Sequence, residues 1–241
     1  MNKIIPLECI GILNSKILKT SCIVAALLAS FFMPVSAQSY TEWRDSLNKL
    51  NQRIERMPRN TDLRMRKAAV NIELGQWEYA ADEYSRVLEI DPKNLGALYF
   101  RAYVNTNLRH YDLAKADYER FLSIMPKNFE AQLGLAMVKR KMGRMSDALD
   151  EMNNLIQLFP DSALAYAARA GLETELKSYE IALFDWDEAL RLKPKNVEFI
   201  VSKVDVLLTL KRNEEAWALL EEAMRNGTPK AALKEWIDRC R

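Results

Sequence analysis

A register of 34 residues, kept from Ser39 almost to the end of the chain, limits the possible folds more than any other feature, because every unit must fold alike and stack on its neighbours. Alanine recurs at Ala80, Ala114, Ala148, Ala182 and Ala216, and proline at Pro58, Pro92, Pro126, Pro160 and Pro194. Small residues return at Ala68, Ala102, Ala136 and Ala170, with Val204 completing the series. Large apolar residues return at Tyr84, Tyr118, Met152, Trp186 and Leu220, and again at Leu74, Leu108, Met142, Leu176 and Leu210. Glycine is sparse, at 7 of 241 residues, while the helix formers Ala, Leu, Glu, Lys and Arg abound. That mixture favours an all-α chain over a sheet protein.

These spacings resemble the tetratricopeptide repeat (TPR), whose unit is a pair of antiparallel helices. The resemblance implies an all-α fold, a right-handed α-solenoid of about five helical hairpins with a leading partial repeat and a C-terminal capping helix. Each recurring residue then has a mechanical reason. Alanines such as Ala102 and Ala114 let two helix backbones approach closely. Aromatics such as Tyr111 and Tyr118 fill the space between hairpins. Proline stops the second helix, and two residues later Asn60, Asn94, Asn128, Ser162 and Asn196 offer caps for the next one. Gly75 and Gly143 fall at the turn inside their hairpins. Lys67, Arg101 and Arg169 share one repeat position, and Glu83, Asp117 and Asp185 share another sixteen residues on. These read as basic–acidic contacts between the helices of one repeat, lapsing at Leu135 and Leu219, each contributing only ~0–1 kcal/mol if exposed.

The repeats are expected at 61–94, 95–128, 129–162, 163–196 and 197–228. Residues 38–60 carry Trp43, Leu47, Leu50 and Ile54 at helical spacing and read as the second helix of a partial leading repeat. Pro229 opens a final helix, 229–241, expected to cover the apolar face of the last hairpin, with Trp236 as the cover.

The segment 1–37 reads as an export signal. Lys3, Lys16 and Lys19 precede an apolar run from Cys22 to Met33, then Pro34 and Val35-Ser36-Ala37. Twelve apolar residues fall short of the ~20 that cross a bilayer as a helix, so cleavage after Ala37 is favoured over a retained anchor. Cys22 precedes the apolar run and Gln38 occupies the cleavage point, an order that does not suit a lipoprotein. The expected location is therefore the periplasm or the extracellular space. Without residues 1–37, Lys+Arg falls from 35 to 32 and Asp+Glu from 33 to 32. A neutral chain offers little to a phosphate backbone, so no nucleic-acid partner is expected, nor stable membrane insertion after cleavage. Cys240 alone survives cleavage, so no intramolecular disulfide is expected.

Catalytic signals are missing from the sequence. His110, the one histidine, sits at an expected turn. There is no haem attachment motif, His-Glu-x-x-His, glycine-rich phosphate loop or nucleophile elbow. No cofactor or metal site is expected, and a carboxylate-only site built across helices is the remaining enzymatic possibility. The TPR resemblance instead implies a concave groove lined by the first helices, which binds extended or helical peptides. Carried over position by position, the groove offers Met65, Arg66 and Ala69, then Tyr99, Phe100, Tyr103 and Asn107. The next two repeats offer Leu133, Met137, Arg140 and Lys141, then Ala167, Gly171 and Glu175. The carboxylate clamp of chaperone-binding relatives needs Lys and Asn where this chain has Met65 and Ala69. What is left is an aromatic cluster beside the basic pair Arg140-Lys141. Two functions compete: a non-enzymatic scaffold for a protein or peptide, and a structural subunit of an outer-membrane or cell-surface assembly. The scaffold should expose its apolar surface in the groove, and the assembly subunit on the convex face or at the ends.

Overall fold

The computed structural model describes residues 40–240; the expected leader, 1–37, lies outside the described residues. Among the described residues there are twelve α-helices and no strand. They are α1 Tyr40–Arg56, α2 Thr61–Glu73, α3 Trp77–Ile90, α4 Leu95–Asn107, α5 Tyr111–Ile124 and α6 Phe129–Lys141. The chain continues with α7 Met145–Leu158, α8 Ala163–Glu175, α9 Tyr179–Leu192, α10 Val197–Thr209, α11 Asn213–Arg225 and α12 Lys230–Arg239. No described helix is long and apolar enough to cross a membrane. The fold is an all-α array of helical hairpins of the solenoid class, in two compact units divided between Val138 and Lys139, within α6.

Local chemistry explains why each helix starts and stops where it does. The side chains of Asn60, Asn94, Asn128, Ser162 and Asn196 accept hydrogen bonds from N–H groups three residues on, at 2.8–3.3 Å. Each thereby satisfies a donor that the first helical turn leaves open. Inside every hairpin the turn residue is left-handed: Gly75, Arg109, Gly143, Lys177 and Lys211, with φ between 59° and 77°. One register position, 34 residues apart, therefore demands a conformation that only glycine adopts without strain. Two hairpins supply glycine and three do not.

Packing follows the small-residue series. Ala80, Ala114, Ala148, Ala182 and Ala216 are wholly buried, as are Ala68, Ala102, Ala136, Ala170 and Val204. A Cβ is the largest group that these close helix–helix contacts admit. In the first unit, Leu50 and Ile54 of α1 pack with Leu63 and Val70 of α2, so α1 buries the open side of the first hairpin. In the second unit one continuous cluster includes Trp186, Phe199, Ile200, Leu220, Leu233 and Ile237. Here α12 closes the core mainly through Leu233 and Ile237. Trp236, the residue expected to do so, is only half-buried and donates its indole N–H to Asp205 at 3.0 Å.

The basic–acidic series forms within hairpins, and its acids are buried rather than solvated. Glu83 accepts from Arg64 at 2.7 Å and pairs with Lys67 at 2.8 Å. Arg101 grips Asp117 with two bonds of 2.7 Å, and Arg169 grips Asp185 at 2.6 and 2.7 Å. The series does not lapse at Leu135. Lys139, one turn later, takes over and meets Glu151 at 2.6 Å. The same basic position also reaches sixteen residues backward, to the second helix of the preceding repeat. Arg101 donates to Ser85, Arg169 donates to Asn153, and Lys203 pairs with Asp187. Arg101 and Arg169 thus each tie three helices together, which charge complementarity within one repeat could not reveal.

Candidate functional site

The first helices supply the residues expected to line a groove, and they fall in both units. In the first unit, Tyr99 is half-buried with its ring 5.8 Å from Tyr118, 6.1 Å from Phe121 and 5.4 Å from Phe100. Phe100 stacks on Tyr84 at 6.0 Å with the rings 16° apart. These two aromatics join the packing between hairpins. Tyr103 is half-buried and lies 6.0 Å from Trp77. Burial raises its hydroxyl pKa above the ordinary value, with the Glu73 carboxylate adding to the effect and Asn107 opposing it. Asn107 is exposed and donates to the Tyr103 carbonyl at 2.8 Å. Arg66 and Met137 are half-buried.

In the second unit, Arg140 meets Glu175 at 3.6 Å, so a carboxylate of the chain itself already faces this guanidinium. Lys141 is exposed. Met65, expected to face the groove, is instead 6 % exposed and Ala167 is also buried. Both belong to the packing, because the helix turns them toward its neighbours.

Two features escaped the sequence reading. A Cβ built on Gly134 would come within 2.5 Å of the Tyr118 ring, so α6 carries glycine where that ring approaches its backbone. Glu173 of α8 is buried, and its carboxyl is pushed up to about 7, first by burial and then by the charge of Asp185. Buried acids are rare without a partner, but helix-surface acids are common, and nothing local to Glu173 marks it.

Exposed apolar surface does not follow the groove expectation. Tyr79, Leu113, Ile181 and Phe184, on the second helices α3, α5 and α9, are all more than half exposed. Among the described residues, no large apolar side chain of α2, α4, α6, α8 or α10 is as exposed. Tyr79, Leu113 and Ile181 share one register position. No group of three His, Cys, Asp or Glu side chains among the described residues is arranged to hold a metal ion.

A family model described as tetratricopeptide repeat matches residues 108–172. No curated protein sequence matches the chain. Among solved structures, a tetratricopeptide repeat protein from Parabacteroides merdae is similar at 22% identity, covering 83% of this chain and 78% of that one with a TM-score of 0.61. The pilF protein of Pseudomonas aeruginosa is similar at 15% identity, covering 81% and 90% with a TM-score of 0.60. YrrB, described as a TPR protein with an unusual peptide-binding site, is similar at 17% identity, covering 77% and 96% with a TM-score of 0.55. At these identities the likeness is one of fold.

Proposed function

Because the chain is a tetratricopeptide-repeat protein, we propose that it works as a non-enzymatic scaffold holding a protein or peptide partner, exported to the periplasm or beyond. The observation that carries this reading is the Tyr103 surface of α4. There an aromatic ring stands half-open beside Trp77, Glu73 and Asn107, a mixture of apolar area and hydrogen-bonding groups typical of peptide recognition. Tyr99 and Phe100, on the same helix, are taken up in packing, and Arg66 and Met137 belong to the first helices before and after it. Arg140 and Lys141 supply positive charge in the second unit; a partner carboxylate there would compete with Glu175 for Arg140. The peptide-binding description of YrrB supports the class of partner and nothing finer.

A second reading has its own observation. The apolar side chains exposed on α3, α5 and α9 favour a role as a structural subunit within a surface or outer-membrane assembly. Affinity capture from the native cell envelope, with quantitative mass spectrometry, separates the two. The scaffold reading expects Tyr103→Ala to weaken capture by roughly tenfold, while Ile181→Ser with Phe184→Ser leaves it intact. The reverse pattern supports the assembly reading. Recovery of intact protein with residues 1–37 attached and resistant to high-salt washing would overturn the exported, cleaved form.

A further inference from the structure

Glu173 stands where no other repeat puts an acid. Its register equivalents are Asn71, Asn105, Lys139 and Leu207. Each position lies twelve residues before the one that holds Glu83, Asp117, Glu151, Asp185 and Leu219 on the second helix. Asparagine beside an acid is neutral, and Lys139 beside Glu151 is complementary, at 2.6 Å. In the α8–α9 hairpin a carboxyl meets a carboxyl instead.

The surroundings offer Glu173 little relief. It is 7 % exposed, and its Oε2 has no hydrogen-bond partner among the described residues. Asp185 on α9 is fully buried, and both its oxygens are taken by the Arg169 fork. The remaining guanidinium nitrogen of Arg169 donates to Asn153 of α7 at 2.8 Å. Other charged groups on the adjoining helices are engaged: Lys139 of α6 with Glu151 of α7, Arg140 of α6 with Glu175 of α8, and Lys203 of α10 with Asp187 of α9. Two carboxylates have acceptors only, so both ionised they repel and cannot hydrogen-bond. One proton on Glu173 turns that contact into a hydrogen bond to Asp185. Burial and Asp185 together outweigh the pull of Arg169 and push the Glu173 carboxyl up to about 7.

We propose that Arg169, Asp185 and Glu173 form a pH-sensitive latch on the α8–α9 hairpin, closed while Glu173 holds a proton and loosened when that proton passes to solvent. Folding raises the pKa of this group, so the folded chain binds more protons than the unfolded one between the ordinary carboxylate range and about 7. The stabilisation is therefore complete below that range and is lost as pH rises through about 7.

The test uses the whole chain. Carbon NMR of the Glu173 carboxyl in the native protein should show a midpoint near neutrality. Hydrogen-exchange protection of α8 and α9 should fall roughly tenfold between about pH 6 and pH 8. Glu173→Gln, which resembles the protonated side chain, should abolish that fall, whereas Glu175→Gln on the exposed face should preserve it. A native midpoint in the ordinary carboxylate range, or the same fall in Glu173→Gln, overturns the latch. Should Glu173→Gln fail to fold, the native titration decides alone.

Discussion

Asp117 is buried to 4 % exposure, and each of its carboxylate oxygens accepts a hydrogen bond from Arg101, one from Nε and one from Nη2. Truncating it as Asp117→Ala leaves the partly exposed guanidinium with Ser85 as its remaining partner and should cost about 3 kcal/mol, the low end for a broken buried pair. Asp147, paired with Arg144 on an exposed turn, should cost under about 0.5 kcal/mol when changed to Ala. Urea midpoints of the two variants check this, and equal values would mean the buried pairs are as solvated as the surface ones. Gly134→Ala puts a methyl group against the Tyr118 ring and should cost about 1–3 kcal/mol. At this scale the sequence carried the pairing but not its environment. Residues 16 apart that vary together name Arg101 with Asp117, yet whether a pair is buried depends on neighbouring helices. The repeat register sets Glu173 apart from Asn71, Asn105, Lys139 and Leu207, but its burial and its conflict with Asp185 on the facing helix are matters of packing.

Hairpins are set by two punctuation marks, an Asx or Ser cap and a left-handed turn residue. The caps could be read directly, because proline followed two residues later by Asn or Ser recurs in register. The turns could be read only where glycine stands, at Gly75 and Gly143. Arg109, Lys177 and Lys211 adopt the same left-handed backbone without the residue that announces it. Lys177→Gly should therefore stabilise the chain slightly, by up to about 1 kcal/mol, since relief of the strained φ exceeds the added freedom of the unfolded chain. Gly143→Ala should destabilise it by about 1 kcal/mol. Opposite shifts in thermal midpoint are the expected result. If both variants shift the same way, the turn geometry is not what sets hairpin stability. The close contact between helices carries more: Ala114→Leu forces bulk into a site with no exposed surface and should cost about 1–3 kcal/mol.

Arrays of this kind must not leave an apolar face in water, and the first and last of the described helices meet this need in the same manner. On α1 the exposed residues are largely polar, among them Arg44, Asp45, Lys49 and Arg53, while Leu50 and Ile54 face inward. On α12 the exposed residues include Lys230, Lys234, Glu235, Asp238 and Arg239, while Leu233 and Ile237 are buried. Polar ends disfavour end-to-end stacking, so, Tyr40 at the start of α1 apart, the apolar residues exposed on the second helices of each unit are those left for an assembly role. Helical spacing foretells the caps, whereas the exposure of Tyr79, Leu113 and Ile181 depends on which second-helix face the neighbouring helices leave open. The capping role can be tested by ending the chain after Thr228. Loss of α12 uncovers apolar surface of α10 and α11 and removes both contacts of Asp205, with the Trp236 indole and with Arg239. The shortened chain should unfold at a lower temperature and self-associate in sedimentation velocity, because the newly exposed face is the kind that seeks a partner. Trp236→Phe keeps the ring but loses the indole hydrogen bond and should cost only about 1 kcal/mol without self-association. A truncated chain that stays monomeric with an unchanged thermal midpoint would show that α12 is an appendage, and that the last hairpin is already closed without it.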